Sequence, residues 1–324
     1  MPAGLQDTLG DVYASLSTAF GTNLVLVMVA LGCSALGFVS AWALQRVTLR
    51  LDRWSDVAGP QLAGNAASNL VPAGSVIGLA VQLRMLRRKG VDLTRAVTGL
   101  TVSGLLTTVA GLCVFPVLVV LPVGDAQGID LASATRAGVI ALAVTVPVAV
   151  AVLRSDRVMR WVGRACHRAV SIVPRCHPPS DLAVRVVDER DRVREALGRH
   201  KGVATLGAFG HSVGEYFALY ASLLAAGTRP SPVVVLAAYV AGNAAGMIPF
   251  TPGGIGFVEA GVAAVLVLSG AGEAEALAGV TVYRLVTTWI PVVAGVVAYL
   301  WSSTRRIKVS PPPVPVLEPA PVLS

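Results

Sequence analysis

A 37-residue segment, 72–108, recurs without a gap 180 residues later in the chain, at 252–288. Twelve of the 37 aligned positions are identical, about a third, whereas roughly one in ten is expected by chance at this composition. The identical pairs are Pro72/Pro252, Gly74/Gly254, Ala80/Ala260, Leu86/Leu266, Gly90/Gly270, Ala96/Ala276, Gly99/Gly279, Thr101/Thr281, Val102/Val282, Leu105/Leu285, Thr107/Thr287 and Thr108/Thr288. The two copies should therefore adopt the same local fold.

The composition indicates an all-α polytopic membrane protein. The 324 residues are 54% hydrophobic and 14% charged, too apolar for one soluble core. Apolar stretches near the roughly 20 residues of a spanning helix predict five spans, over 24–44, 96–122, 132–153, 203–226 and 276–301. Two further apolar regions, 57–88 and 232–270, are interrupted by Pro and Gly.

The net charge of +8 predicts topology rather than nucleic-acid binding, because the basic residues lack interleaved aromatics or a recognition motif. Arg and Lys cluster after the first span, before the second, after the last and in the 154–201 loop. These segments should be cytoplasmic, and the acidic 123–131 and 271–275 loops should be external. The prediction is a multi-pass cell-membrane protein with the N-terminus outside and the C-terminus and the 154–201 loop cytoplasmic.

This topology makes each interrupted region begin and end on the same side of the membrane. Both should therefore be re-entrant helical hairpins, one from each side, in an inverted-topology repeat. Residues 1–309 form one membrane domain, with repeat one at about 22–125 and repeat two at about 202–304. A connector span, 132–153, inverts the second copy, and the Pro-rich tail, 310–324, should be disordered. The alternative is that the small residues only pack helices against each other.

The tip of the second hairpin has the composition of an anion site. Pro252, Gly253, Gly254 and Gly256 cannot continue a helix. A helix beginning near Gly254 would present unpaired N–H groups and a positive dipole end, which suit a phosphate.

Two opposite charges lie in apolar helices near this turn. Glu259 follows the turn, and Arg284, next to Tyr283, lies in the last span. In one hypothesis Arg284 contacts a phosphate and Glu259 a cation or proton; in the other they form a buried pair that fixes the hairpin. Asn243 either lines the same cavity or joins helices.

Weaker candidates lie elsewhere. His211 and Glu215, four residues apart on one helix, either relay a proton or pair for packing. Pro72 and Gly74 belong to the first hairpin's tip, and Arg84 either attracts anionic head groups or is an ordinary cytoplasmic arginine.

The basic loop predicts two more helices. Arg154, Arg157, Arg160, Arg164 and Arg168 lie on one helical side, typical either of an amphipathic helix on the anionic inner leaflet or of a solvated connector. Residues 181–200 predict a second surface helix.

Residues 252–260, Pro-Gly-Gly-Ile-Gly-Phe-Val-Glu-Ala, followed by Tyr283-Arg284-Leu285, resemble the signature of the lysylphosphatidylglycerol synthase transmembrane family, the flippase-like integral membrane domain. The segment from Pro72 through Arg84 to Gly90 is similar to the family's upstream motif, except that Ala73 stands where Gly is more usual. The resemblance covers roughly residues 20–304.

This resemblance implies a lipid flippase fold. The substrate that the resemblance implies for the protein is an anionic or aminoacylated phospholipid, or a polyprenyl-phosphate-linked lipid. The chain ends at Ser324 without a soluble aminoacyltransferase domain, so we expect that it is not by itself a complete lysyl-lipid synthase. We expect no enzyme activity, cofactor or metal. The expected partners are membrane lipids, with or without a lipid-modifying enzyme. The alternatives are an ion-coupled small-anion transporter and a non-transporting scaffold for a lipid-modifying enzyme.

Overall fold

The computed structural model of the protein describes residues 23–71, 74–113, 154–171, 182–246 and 251–304, and a few isolated positions between them. Within these ranges every regular element is helical, which confirms the all-α prediction there. The α-helices are α1 (Leu24–Leu49), α2 (Ser55–Leu70), α3 (Gly74–Arg88), α4 (Leu93–Leu112), α5 (Asp156–Ser171), α6 (Leu182–Arg199), α7 (Lys201–Ala225), α8 (Pro232–Gly246), α9 (Phe257–Leu268), α10 (Glu273–Arg284) and α11 (Ile290–Thr304). Pro72, most of the connector span 132–153 and the 310–324 tail lie outside the described residues.

Three of the described helical segments are long and apolar enough to cross a membrane: Leu24–Leu49, Leu93–Gly111 and Glu273–Ser302. Helix α7 forms where a span is predicted and has 25 residues. It is not among these three because polar side chains, including His211 and Glu215, lower its mean hydropathy.

Helices α1 and α7 pack antiparallel over most of their length. A Cβ at Gly207 would meet Leu44, and a Cβ at Gly214 would meet Cys33 and Gly37. Glycine at these positions lets the two backbones approach closely, as in other membrane helix pairs.

Each interrupted region folds into two helices that pack against each other. In the first region Gly78 of α3 lies against Gly64 and Ser68 of α2, and in the second Gly242 of α8 lies against Val262 of α9. The end of α2 also touches the glycine turn of the second pair, because a Cβ at Gly253 would meet the Asn69 side chain. The ends of the two predicted hairpins therefore meet in the fold.

The 180-residue offset also relates local structure in the two copies. Helix α4 begins at Leu93 and α10 begins 180 residues later, at Glu273. Gly90 and Gly270, at the preceding turns, have φ of 84° and 93°. Only a residue without Cβ adopts such angles readily, which accounts for glycine in both copies.

The basic loop forms both predicted helices, but α6 does more than lie on the surface. Met159 of α5 and Val186 of α6 are fully buried in a cluster with residues of α1 to α4. The Glu189 carboxylate forms an ion pair with Arg50, just after α1, and Arg190 binds Asp156 at 2.7 Å. Helix α6 is therefore docked on the ends of α1 and α4.

Candidate functional site

The Arg284 guanidinium connects three parts of the second repeat. Its Nε donates to Glu259 Oε1 at 2.7 Å, its Nη2 donates to the Gly253 carbonyl at 2.8 Å, and its Nη1 donates to Thr288 Oγ1 at 3.0 Å. A guanidinium has five N–H groups, so two remain beyond these bonds to described residues. The arginine is only 8% exposed.

The Glu259 carboxylate both pairs with Arg284 and caps α9. Its Oε2 accepts the Gly256 N–H at 2.7 Å, and a carboxylate in the first turn also favours the helix dipole. The sequence-based alternative in which the two charges form a pair that fixes the hairpin is therefore present in the structure. The hypothesis that Glu259 receives a cation stays a prediction.

The glycine turn differs in detail from the expectation. Gly253, Gly254 and Gly256 all have positive φ, 60°, 67° and 87°, which explains the glycines. The α-helix starts at Phe257 rather than near Gly254, because Pro252–Gly254 form a 3-10 turn. The Gly256 N–H is already bound by Glu259, so the turn is not a bare anion site.

Beside Arg284 is a cavity of about 310 Å³ between α7, α8, α9 and the last span. Polar groups from three of these elements converge on it. Its polar lining is Glu215, Tyr239, Asn243, Tyr283, Arg284, Thr287 and Thr288. Apolar and glycine residues complete the wall, as is typical of ligand pockets.

Glu215 brings a carboxylate to the wall of the cavity. Its Oε2 accepts a hydrogen bond from Tyr239 at 3.4 Å. The His211 Nε2 lies 3.7 Å from Glu215 Oε1, and the His211 ring packs edge-on against Phe38. His211 itself does not line the cavity.

A π-helical segment, Leu285–Trp289, directly follows Arg284. Such segments widen a helix locally and are frequent at functional sites. It contains Thr287 and Thr288, and both residues line the cavity. In the first copy the equivalent residues, 105–109, belong to the regular helix α4.

The structure separates the predicted site residues into groups. Asn243, Tyr283, Arg284 and Glu215 line the cavity; Gly253, Gly256 and Glu259 adjoin it through the bonds above, with Pro252 and Gly254 in the same turn. His211 lies next to Glu215 but does not line the cavity. Gly74 packs against Ser68 inside the first hairpin, and Arg84 is exposed, so neither belongs to the cavity.

Sequence reasoning missed Tyr239 and the acceptor role of Thr288. The repeat identities include Thr288, and only its placement one helical turn after an intramembrane arginine could have indicated a role. Tyr239 lies one turn before Asn243, whose Nδ2 donates to the Tyr239 carbonyl at 3.0 Å.

Apolar helices of spanning length, together with a polar cavity containing charged residues, define an all-helical membrane protein. Residues 9–295 match the family described as Lysylphosphatidylglycerol synthase TM region, so the chain belongs to this family. The match confirms the resemblance drawn from the 252–260 and 283–285 motifs and links the protein to lipid handling. No curated protein and no solved structure matches the chain.

Proposed function

We propose that the protein is a non-enzymatic, flippase-like lipid transporter that moves the head group of an anionic or aminoacylated phospholipid, or of a polyprenyl-phosphate-linked lipid, across the cell membrane. The observation that carries the proposal is the cavity lined by Arg284, whose guanidinium has two N–H groups beyond its three bonds to described residues, and by residues with amide and hydroxyl groups. A phosphate would accept hydrogen bonds from the Arg284 guanidinium, because hydrogen bonds between oppositely charged groups are stronger than those between neutral groups. The acyl or prenyl tails would stay in the bilayer.

The charges of the cavity define what else must bind. Glu259 neutralises Arg284, and Glu215 adds a further carboxylate. A phosphate therefore needs a compensating positive group, either an ammonium on the head group or a proton on Glu215. We therefore propose that Glu215, which the sequence suggested as part of a proton relay with His211, takes the cation or proton, rather than Glu259.

The fold supports an inverted repeat with two re-entrant hairpins. Helix starts and turn glycines agree at the 180-residue offset, and Asn69, near the end of α2, contacts Gly253 in the second region. With the Arg and Lys distribution, this favours one hairpin from each side, an external N-terminus and a cytoplasmic 154–201 loop.

The polar cavity argues against the scaffold alternative, in which the protein only supports a lipid-modifying enzyme. A scaffold needs no water-accessible polar centre. An ion-coupled carrier of small anions would use the same cavity. The two transport functions differ in whether a lipid or a free anion is moved.

The test is reconstitution of the full chain in liposomes with fluorescent phospholipids, followed by dithionite quenching of accessible head groups. Wild type should expose inner-leaflet lipid faster than empty liposomes, and Arg284→Ala and Glu259→Gln should slow this at least tenfold. Wild type no faster than empty liposomes for any lipid tested would reject the proposal. Uptake of radiolabelled phosphate without lipid movement would favour the small-anion carrier.

A further inference from the structure

The first hairpin contains a set of amide side chains that the site above does not use. Helix α2 has Gln61, Asn65 and Asn69 at intervals of four residues, and Gln82 on α3 and Gln45 on α1 lie nearby. Residues four apart on a helix share one face. These five residues are called the amide stripe below.

Hydrogen bonds join two pairs of residues within the stripe. Asn69 Nδ2 donates to Asn65 Oδ1 at 3.1 Å, and Gln82 Nε2 donates to Gln45 Oε1 at 3.2 Å. Gln82 lies against Gly64, one residue before Asn65. From Gln61 to Asn69 the stripe extends about 12 Å along α2, close to half the thickness of a bilayer's hydrocarbon core.

The stripe ends at the candidate site. The Asn69 side chain lies against Gly253, whose carbonyl accepts from Arg284. Its other end is about one turn from Asp56, whose carboxylate pairs with Lys89 at 2.9 Å. The stripe thus runs from the base of the first hairpin to the residues that position Arg284.

Two observations indicate that the stripe binds something besides its own members. The five side chains are each partly exposed rather than buried. Gln61 Oε1 has almost no solvent-accessible surface and no hydrogen-bond partner among the described residues, which is costly unless the side chain turns toward a ligand that supplies one.

Amides have no formal charge and both donate and accept hydrogen bonds, so they suit neighbouring hydroxyl groups better than an ammonium or a second phosphate. We infer that the amide stripe is a second binding segment of the lipid path, specific for a hydroxyl-bearing head group such as glycerol, inositol or another sugar. This inference rests on the proposed function, in which the phosphate of the same lipid reaches Arg284.

The test measures binding of dioctanoyl lipids to the detergent-solubilised full chain. Phosphatidic acid, phosphatidylethanolamine, phosphatidylglycerol and phosphatidylinositol share tails and a phosphate and differ in the group esterified to that phosphate. Wild type should bind the last two about tenfold more tightly than phosphatidic acid, the effect of one or two net hydrogen bonds.

Gln61→Met conserves side-chain size and breaks no hydrogen bond to a described residue, so it should fold normally. It should reduce the preference for hydroxyl-bearing lipids to about twofold while leaving phosphatidic acid binding unchanged. Asn65→Leu is a second variant of the stripe. The matched control is Asn23→Leu, since Asn23 donates to the Ala225 carbonyl, away from the stripe, and should keep the preference.

The outcomes separate the two proposals. Equal binding of all four lipids by wild type, or an unchanged preference in both stripe variants, would overturn the inference and leave the Arg284 site standing. Phosphatidic acid binding that survives Arg284→Ala would reject the phosphate site without removing the stripe's selectivity. If none of the four lipids bound to the wild-type protein, both the amide stripe and the Arg284 phosphate site would be overturned.

Discussion

Arg284 and Glu259 are 25 residues apart in the chain, yet their side chains form a 2.7 Å ion pair where the second hairpin meets the last span. The arginine side chain is 10% exposed and the carboxylate 28%. The pair joins α9 to α10, and Arg284 also binds the glycine turn. The pair therefore holds the wall of the cavity in place.

Removing one member of this pair should destabilise the fold. Glu259→Gln leaves the Arg284 charge without its partner. The loss of one partner of a fully buried ion pair lowers the free energy of unfolding by about 3–5 kcal/mol. We expect a loss of about 1–3 kcal/mol here because the Glu259 carboxylate is partly exposed. The apparent melting temperature in detergent should fall by several degrees. Glu195→Gln, in the exposed Glu195–Arg199 pair on α6, should change it little. Equal effects of the two substitutions would contradict the role given to the buried pair.

Thr288→Val should reduce lipid transport about fivefold to tenfold. The change conserves shape but removes the oxygen that accepts from Arg284 Nη1, which leaves the guanidinium less firmly placed. The control lies in the other repeat: Thr108 occupies the equivalent position and its hydroxyl donates to the Gly104 carbonyl. Thr108→Val should transport nearly as well as wild type, and a similar loss in both variants would count against a specific role for Thr288.

Gly253→Ala should be more harmful than the same change at Gly270. Both glycines have positive φ, so alanine costs roughly 1–2 kcal/mol at either position. At Gly253 the new Cβ also meets Asn69, whereas nothing lies within 4 Å at Gly270. Thermal unfolding should show the larger loss at Gly253, partly restored by Asn69→Ala. Equal losses of stability at the two positions would mean that the close approach of Asn69 to Gly253 does not constrain the turn.

Glu215→Gln should make transport insensitive to an imposed pH gradient, because Glu215 is the carboxylate that faces the cavity beside Tyr239 and Arg284. His211→Asn should weaken the response only in part, since His211 lies behind Glu215. The measurement is transport in proteoliposomes with and without a pH step across the membrane. Equal rates of wild-type transport with and without the pH step would exclude proton coupling.

Trp161 should contact anionic lipid. It is 64% exposed on α5, and Arg157, Arg160 and Arg164 are exposed on the same side, opposite the buried Met159. Tryptophan and arginine are typical of a helix that lies at an anionic membrane surface. In nanodiscs, brominated anionic lipid should quench wild-type fluorescence more than that of Trp161→Phe, and brominated zwitterionic lipid should show a smaller difference. Equal quenching in both proteins would favour a solvated connector.

Much of the secondary structure could be predicted because it depends on local signals. Apolar length predicts spans over 24–44 and 96–122, and the structure has helices at Leu24–Leu49 and Leu93–Leu112. Proline and glycine predict the interruption before α9, although they indicate a helix start near Gly254 and α9 begins at Phe257.

The rest depends on tertiary contacts that spacing does not encode. The helix spacing of His211 and Glu215 could not show that Glu215 alone faces the cavity with Arg284. Nor could charge alternation along α6 show that Glu189 reaches Arg50, because its partner is 139 residues away. The π-helical segment after Arg284 has no counterpart in the first copy, although several of its residues are identical to those of α4.

The most direct test of the central claim, that a lipid head group enters the cavity beside Arg284, is photocrosslinking with a phospholipid that bears a diazirine on its head group. The reconstituted protein is irradiated and digested, and the labelled residues are identified by mass spectrometry. The account predicts label on cavity residues such as Asn243, Tyr283 and Thr287, and its loss in Arg284→Ala. Label confined to exposed apolar side chains such as Val25, Leu206 and Val293 would contradict it.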